Sequence, residues 1–524
     1  MNVKKFNTQQ VRVERYTLVD RFLDNLHDAS LRRNVTILFA GKLIGLAIVL
    51  ALMWTVMPST ASAGGLQDVP TPEINAINTV WTLIAAFLVF CMQVGFVMLE
   101  AGFARSREAV NILIEGIADT CLCGILFWAW GFAFMFMPGT SLIGTSGFFL
   151  MGLPATYGAT GIPILAFWVF QFAFADTTST ITSGAMVGRT GFIGDLLYSV
   201  GVTGFIYPII GHWVWGPDGW LAAMGFRDFA GSTVVHTIGG TISLAGAIVL
   251  GPRLGRIFKR DGGGPMQPHD IIMGAVGGLI LWFGWYGFNP GSTLSAMDLQ
   301  GIGRVSFNTT MAACSAGLAA LFYSYIRGKT WDLGLTVNGF LAGLVAITCP
   351  CYWVDPIGAF FIGIGGALVM IWALDALEYL RIDDPIGAVP VHMVAGIWGT
   401  LSLGLFAAGQ FGVPTPTGAD TTTVMTGLLY GGGLTQLTTQ VIGSASVTIL
   451  TFAVAMALFL AVKATRTLRV SAAGEIRGLD LHEHGVVAYP EAVLKGNDGT
   501  PKTLPDLKGI LGGAVLPELS GGSE

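Results

Sequence analysis

Two histidines lie in apolar surroundings at equivalent places in a repeated pattern. From Asp228 the chain reads DFAGSTVVHTIGGT and from Asp384 it reads DPIGAVPVHMVAG, and both fit D-x2-G-x3-V-H-x3-G. Asp228, Gly231, Val235, His236 and Gly240 are answered by Asp384, Gly387, Val391, His392 and Gly396. A neutral imidazole is donor and acceptor at once, so two in contact share a proton and still present nitrogens to a pore. A lone histidine in an apolar helix is more often structural; the symmetric placement points to a joint site. No carboxylate or cysteine stands beside them at metal-ligand spacing and no nucleophile is near, so neither a metal, a cofactor nor an enzyme activity is expected.

The elements that must position these residues are membrane helices. Hydrophobic residues make up 53% of the 524 and charged residues 11%, against roughly 25% charged in soluble domains; mean hydropathy is +0.67. The partner is therefore a lipid bilayer, and no nucleic acid is expected. The 73 glycines are about twice the average share and suit helices packed through small residues. A net charge of -5 decides little. The six cysteines fall mostly in apolar runs, which argues against a disulfide scaffold; only Cys349 and Cys351, at a helix end, are placed where they could react.

Residues 1–63 read as a leader. A polar stretch to residue 42 is followed by apolar Leu43 to Met57 and a small-x-small cleavage site at Ala61 and Ala63, as in a secretory signal; an uncleaved extra membrane helix is the alternative. Residues 64–465 then hold eleven apolar helices, at about 78–102, 109–136, 162–187, 191–215, 231–251, 270–290, 303–326, 333–349, 356–380, 387–407 and 436–464. Loops leaving odd-numbered helices carry thirteen Arg and Lys residues, and those leaving even-numbered ones carry two, Arg227 and Arg304. By the positive-inside rule the mature N-terminus is outside and the tail, 466–524, is cytoplasmic. The end of that tail is polar and Gly-rich, a composition of disordered segments.

The fifth helix then enters from outside at Asp228 and the tenth from inside at Asp384. Eight helical residues rise ~12 Å, near half of a ~30 Å hydrocarbon core, so the two histidines meet at mid-depth. The expected fold is an all-α polytopic membrane protein with 5+5 inverted repeats, about 78–251 and 270–407, plus a long brace helix at 436–464. Sites in such folds lie near the midplane between repeats. Both aspartates stand where a helix wants an N-cap. For Asp384 capping is the expectation; for Asp228, beside an outer aromatic cluster, capping and cation attraction compete. The aromatics Phe170, Phe174, Trp215, Trp285 and Phe288 suit an interfacial belt or a cation site, and spacing alone leaves both open.

The segments DFAGSTVVHTIGG, GWYGFNPGSTLS, DDPIGAVPVHMVAGIWG and GLDLHEHG resemble the ammonium transporter family (Amt/Mep/Rh), on its Amt side, across about Asn78 to Tyr489. The resemblance implies ammonium or ammonia as substrate, recruited at Phe170, Phe174, Trp215 and Ser292 with Asp228 near the mouth. It implies a stacked gate of Phe174 and Phe288, and a pore along His236, His392 and Trp285. It further implies a homotrimer in the cell inner (plasma) membrane, a PII signal protein as a possible cytoplasmic partner, and a regulatory tail segment at Gly478, Leu479, Asp480, His484 and Gly485. Two rival readings are an ammonium sensor signalling through the tail, for which the ~35 residues after Tyr489 look short, and a neutral-gas channel of the Rh kind. The chain departs from many bacterial members at Glu100 and Asp176, and its second helix adds Glu115 and Asp119. Hydrogen-bonded packing or a subunit contact is the expectation for these acids, with Glu100 balanced by Arg105 or Arg107; a modified proton or cation route is the alternative.

Overall fold

The structure, a computed structural model, describes residues 70–489; the leader, its cleavage site and the chain end lie outside them. Each stretch expected to be helical is helical: α1 (Pro72–Phe103), α2 (Ala109–Phe136), α3 (Ile164–Gly184), α4 (192–215), α5 (Ser232–Leu250), α6 (Ile271–Phe288), α7 (Leu299–Gly328), α8 (Leu333–Thr348), α9 (Pro356–Leu380), α10 (Val389–Phe406) and α11 (Thr435–Ala464). Among the described residues ten helices are long and apolar enough to cross a membrane, and α8, with 16 residues, is shorter. At 1.5 Å per residue α8 reaches ~24 Å, short of a hydrocarbon core. From Val337 to Thr348 it is buried throughout, so neighbouring helices rather than lipid surround it. α1 starts six residues earlier than hydropathy suggests because Thr71 caps it and Pro72 opens it, where a missing N–H costs nothing.

Two small-residue seams tie the repeats together. α1 and α6 approach so closely that a Cβ on Gly95 would meet the Gly277 carbonyl oxygen at 2.9 Å, and one on Gly102 the Gly274 nitrogen at 2.4 Å. At the second seam α5 crosses α10. A Cβ on Gly240 would meet the Met393 nitrogen at 2.3 Å, and one on Gly396 the Ser232 carbonyl oxygen at 2.5 Å. The last glycine of each repeat motif is thus the contact that lets the histidine helices touch, in line with small-residue packing in lipid. α5 is 89% buried and α11 28%, which puts the first at the centre and the second at the rim, as a brace requires.

Both histidine helices open in a π-helical turn, Ser232–Thr237 and Val389–Val394. The His236 N–H reaches back five residues to the Gly231 carbonyl at 3.0 Å. The wider turn rotates the histidine relative to the rest of its helix, as π-bulges do at functional sites.

At the end of the bundle where α5 finishes and α10 begins, a buried collar joins the halves. Arg253 donates through Nε and Nη2 to Asp383 at 2.8 and 2.9 Å, and Arg189 donates to the Asp383 carbonyl at 2.6 Å. Burial alone would raise the Asp383 carboxyl, but the Arg253 hydrogen bonds and the Arg189 and Arg253 charges hold it well below the usual carboxylate range. The six cysteines are all free, and Cys349 and Cys351, expected to be reachable, are buried; the exposed ones are Cys121 and Cys314 on helix faces. Packing of the α8 end under Phe229 and Tyr352 explains the difference, since Phe229 N–H bonds the Cys349 carbonyl at 3.2 Å. A short hairpin, β1 (Val413–Thr415) with β2 (Gly418–Asp420), closes the loop between α10 and α11.

Candidate functional site

From the end of the bundle where α5 begins toward its middle, the aromatic residues singled out in the sequence converge. Phe170 and Phe174 on α3 lie 4.7 Å apart by ring centroid, and the Trp215 edge stands 6.0 Å from Phe174 at 73°. Phe174 stacks on Phe288 at 4.1 Å and 27°, and both rings are buried. Beyond them the His236 ring lies against Phe288 at 5.4 Å, Trp285 at 5.2 Å and His392 at 5.3 Å, all near-parallel. Trp285 is anchored by its indole N–H on Thr348 Oγ1 at 2.8 Å, a partner no sequence pattern marks.

His236 Nδ1 and His392 Nδ1 are 3.2 Å apart. Only one of them carries the hydrogen in such a contact, so the two rings hold opposite tautomers, and moving one proton swaps the donor and acceptor roles of both outer nitrogens. His236 Nε2 has no partner and is buried. Beneath His392 a cavity of about 20 Å³, room for about one water, is lined by Phe96, Glu100, Ile181, Leu281, Asn338 and His392 among others.

The motif aspartates behave alike. Asp228 accepts from the backbone N–H groups of Gly231, Thr233 and Val234 at 3.0, 2.8 and 2.9 Å. Asp384 accepts from Gly387, Ala388 and Val389 at 3.0, 3.1 and 2.8 Å. Of the two readings left open for Asp228, the geometry shows the cap: the residue is 5% exposed and both carboxylate oxygens accept backbone N–H groups at the start of α5. Its carbonyl also accepts from the Trp215 indole at 2.8 Å, so the same residue aims the tryptophan. Gly231 and Gly387 follow each cap with φ of +119° and +83°, a turn only glycine takes without strain. Ser292 donates its hydroxyl proton to the Phe288 carbonyl at 2.8 Å, leaving its oxygen lone pairs free.

The tail segment docks beneath α2. Gly478, at φ +99°, packs on the Arg107 side chain. Asp480 Oδ1 accepts from the Asn111 backbone N–H at 2.9 Å, His484 Nε2 contacts Asn111 Oδ1 at 2.9 Å, and the His484 ring meets Phe192 edge-on at 5.3 Å. Burial pushes the Asp480 carboxyl up despite those backbone donors. Gly485, at φ +68°, has open space around it.

The four acids of α1, α2 and α3 are buried inside the subunit, and a fifth joins them: Asp195 on α4, a lone acid in the apolar run FIGDLLYSV. Arg105 and Arg107 do not balance Glu100. Arg105 pairs with Glu108, Arg107 donates to the Ile476 carbonyl, and Glu100 accepts from Ser183 Oγ at 3.4 Å.

A bundle of membrane helices in two inverted halves, with a buried row of aromatic and imidazole rings at their junction, defines the class: a membrane transporter of a small ion or molecule. The model of the Ammonium Transporter Family matches residues 80–489. The chain is 39% identical to ammonium transporter Amt2 of Archaeoglobus fulgidus over 465 residues, 86% of this chain and 95% of that one. It is 35% identical to ammonium transporter 1 member 3 of Solanum lycopersicum over 81% of this chain and 95% of that one. Among solved structures it resembles a sensor Amt protein (TM-score 0.71, 37% identity, 79% of this chain and 99% of that one) and Saccharomyces cerevisiae Mep2 (TM-score 0.70, 27% identity, 80% and 95%). The chain belongs to the ammonium transporter family, a family of transporters, and is an ammonium transporter.

Proposed function

We propose that this protein recruits NH4+ at Phe170, Phe174, Trp215 and Ser292, removes its proton beyond the Phe174 and Phe288 pair, and conducts NH3 along His236, His392 and Trp285 with net proton transfer. The observation that carries the reading is the unbroken sequence of rings from Trp215 to His392, ending in imidazoles 3.2 Å apart. Ring faces attract a desolvated cation, and the Ser292 oxygen, with its proton already engaged, accepts from an ammonium N–H. Potassium, of similar size, has no N–H to donate and no proton to give up, so the dry segment stops it. Asp228 acts here as a positioning residue, through Trp215 and the α5 cap.

The protomer assembles as a homotrimer in the plasma membrane, with Asp228 outside and the tail in the cytoplasm. Contacts of Asp480 and His484 with Asn111 support a regulatory role for Gly478, Asp480, His484 and Gly485, through which a PII-type partner acts. The same contacts favour a second reading, in which pore occupancy signals through the tail. Proteoliposomes given an ammonium jump separate the readings: current with uptake supports the transporter, uptake without current the neutral-gas channel, and negligible uptake the sensor.

A further inference from the structure

Five carboxylates lie buried at membrane depth on four packed helices, and the twin-histidine conduit uses none of them. They are Glu100 on α1, Glu115 and Asp119 on α2, Asp176 on α3 and Asp195 on α4, each no more than 5% exposed. Each has one oxygen without a hydrogen-bond partner, and no ion pair among the described residues includes any of them. Neutral hydroxyls approach three of them: Thr120 on Asp176 at 3.0 Å, Ser183 on Glu100 at 3.4 Å, and Tyr198 on Asp195. Ser199, one turn beyond Asp195 and fully buried, has an unpartnered hydroxyl. An ionised carboxylate so placed is very costly without a cation, so the cluster must hold protons or a positive ion. No group of three or more Asp, Glu, His or Cys side chains among the described residues has the arrangement of a metal site, which favours protons.

The carboxylates are arranged as a series. The helices that carry them pack on one another, α2 against α1, α3 and α4, and α1 against α3. Along α2, Asp119, Glu115 and Asn111 follow at four-residue steps of ~6 Å on one face. One end of the series opens on the pore, since Glu100 lines the cavity beneath His392. The other ends at Asn111, which His484 of the docked tail covers at 2.9 Å.

We propose that these five acids form a proton branch off the histidine conduit, entered at Glu100 and leaving to the cytoplasmic surface beside Asn111 and His484. The inference rests on the transport reading above. A proton that has passed His392 binds the Glu100 carboxylate. Each carboxyl takes a proton on its free oxygen as its own O–H gives one up, from Glu100 to Asp195 or Glu115, through a bridging water where the gap exceeds hydrogen-bond length, and Glu115 releases one proton to water at the tail contact. Asp119, one turn from Glu115 on α2, and Asp176 belong to the same buried set, and its protonation is restored after each transfer. Ammonia leaves by the pore and the proton by the branch, and they recombine as NH4+ in the cytoplasm.

The test uses the full chain in liposomes, with ammonium chloride jumps and charge movement and uptake recorded together. Glu115→Gln and Asp195→Asn are neutral isosteres that preserve packing if the acids are only structural, yet cannot relay a proton. The expected result is a fall in charge moved per ammonium taken up of about tenfold or more in each variant, as for a lost acid–base group. A ratio within about twofold of the wild type overturns the branch. Absence of uptake by the wild type itself would instead be a failure of the transport reading. Where a variant does not assemble, infrared difference spectra of the wild type decide: ammonium should shift carboxylic-acid C=O bands, and an unshifted carboxyl region overturns the proposal.

Discussion

Removing the Asp228 side chain should destabilise the protein as much as removing that of Asp384, with only the first change reaching the substrate. Asp228 satisfies three backbone N–H groups at the start of α5, at 2.8 to 3.0 Å, and Asp384 satisfies three at the start of α10, at 2.8 to 3.1 Å. An N-cap replaced by alanine costs up to ~2 kcal/mol, and a buried N–H left without a partner adds ~1–3 kcal/mol unless water reaches it. The expected loss is about 3 kcal/mol for Asp228→Ala and for Asp384→Ala alike, and about 1 kcal/mol for Asp228→Asn, which keeps one acceptor oxygen. Denaturant unfolding of the purified protein, followed by tryptophan emission, reads the stability; uptake over a range of ammonium concentrations reads KM. The Trp215 indole bonds the Asp228 backbone carbonyl, which every substitution keeps, so Asp228 variants should raise KM only through the shift of that loop when the cap is lost, and Asp384 variants should leave KM unchanged. A stable Asp228→Ala protein with raised KM would refute the capping argument and return Asp228 to direct cation attraction.

Other outcomes follow from the same geometry. His236→Ala or His392→Ala breaks the 3.2 Å contact and should cut selective ammonium uptake by at least about tenfold or admit potassium; unchanged uptake and selectivity in both variants would remove the pore assignment. Trp215→Leu deletes a ring face worth ~1–2 kcal/mol to a desolvated cation and should raise the ammonium KM roughly tenfold against competing sodium, checked by a competition curve. Asp383→Asn leaves Arg253 buried without its carboxylate and should cost ~3–5 kcal/mol, measured by denaturant unfolding. In the intact protein the folded Asp383 carboxyl is depressed. Its stabilisation is therefore full above its unfolded value of about 4 and is lost only as pH falls below that toward the folded value; an acid titration of stability reads this.

Helix positions were largely legible in the chain, because a run of apolar residues long enough to cross a bilayer is a local property that tertiary contacts barely alter. The motif was legible for a similar reason. A cap, a glycine turn, a histidine and a contact glycine follow at spacings set by helix geometry, so two copies announce two equivalent helices. Other features depended on how those helices rotate and pack. The carboxylate of Asp228 turned into its own helix, because three backbone donors converge where the cap closes. Cys349 and Cys351, at a helix end by sequence, are covered by the α5 entry loop and Tyr352.

The acids show the division most clearly. In the chain, Glu100, Glu115, Asp119, Asp176 and Asp195 spread over nearly a hundred positions, and hydropathy marks each only as an isolated exception. Their meeting is decided by the facing of α1, α2, α3 and α4, which no spacing along the chain encodes. What the sequence by itself determined is that this protein is a bundle of membrane helices with two opposed histidine segments. Only the tertiary structure decided that the two imidazoles touch and that five buried carboxylates share one set of packed helices, because each depends on contacts between helices distant in the chain.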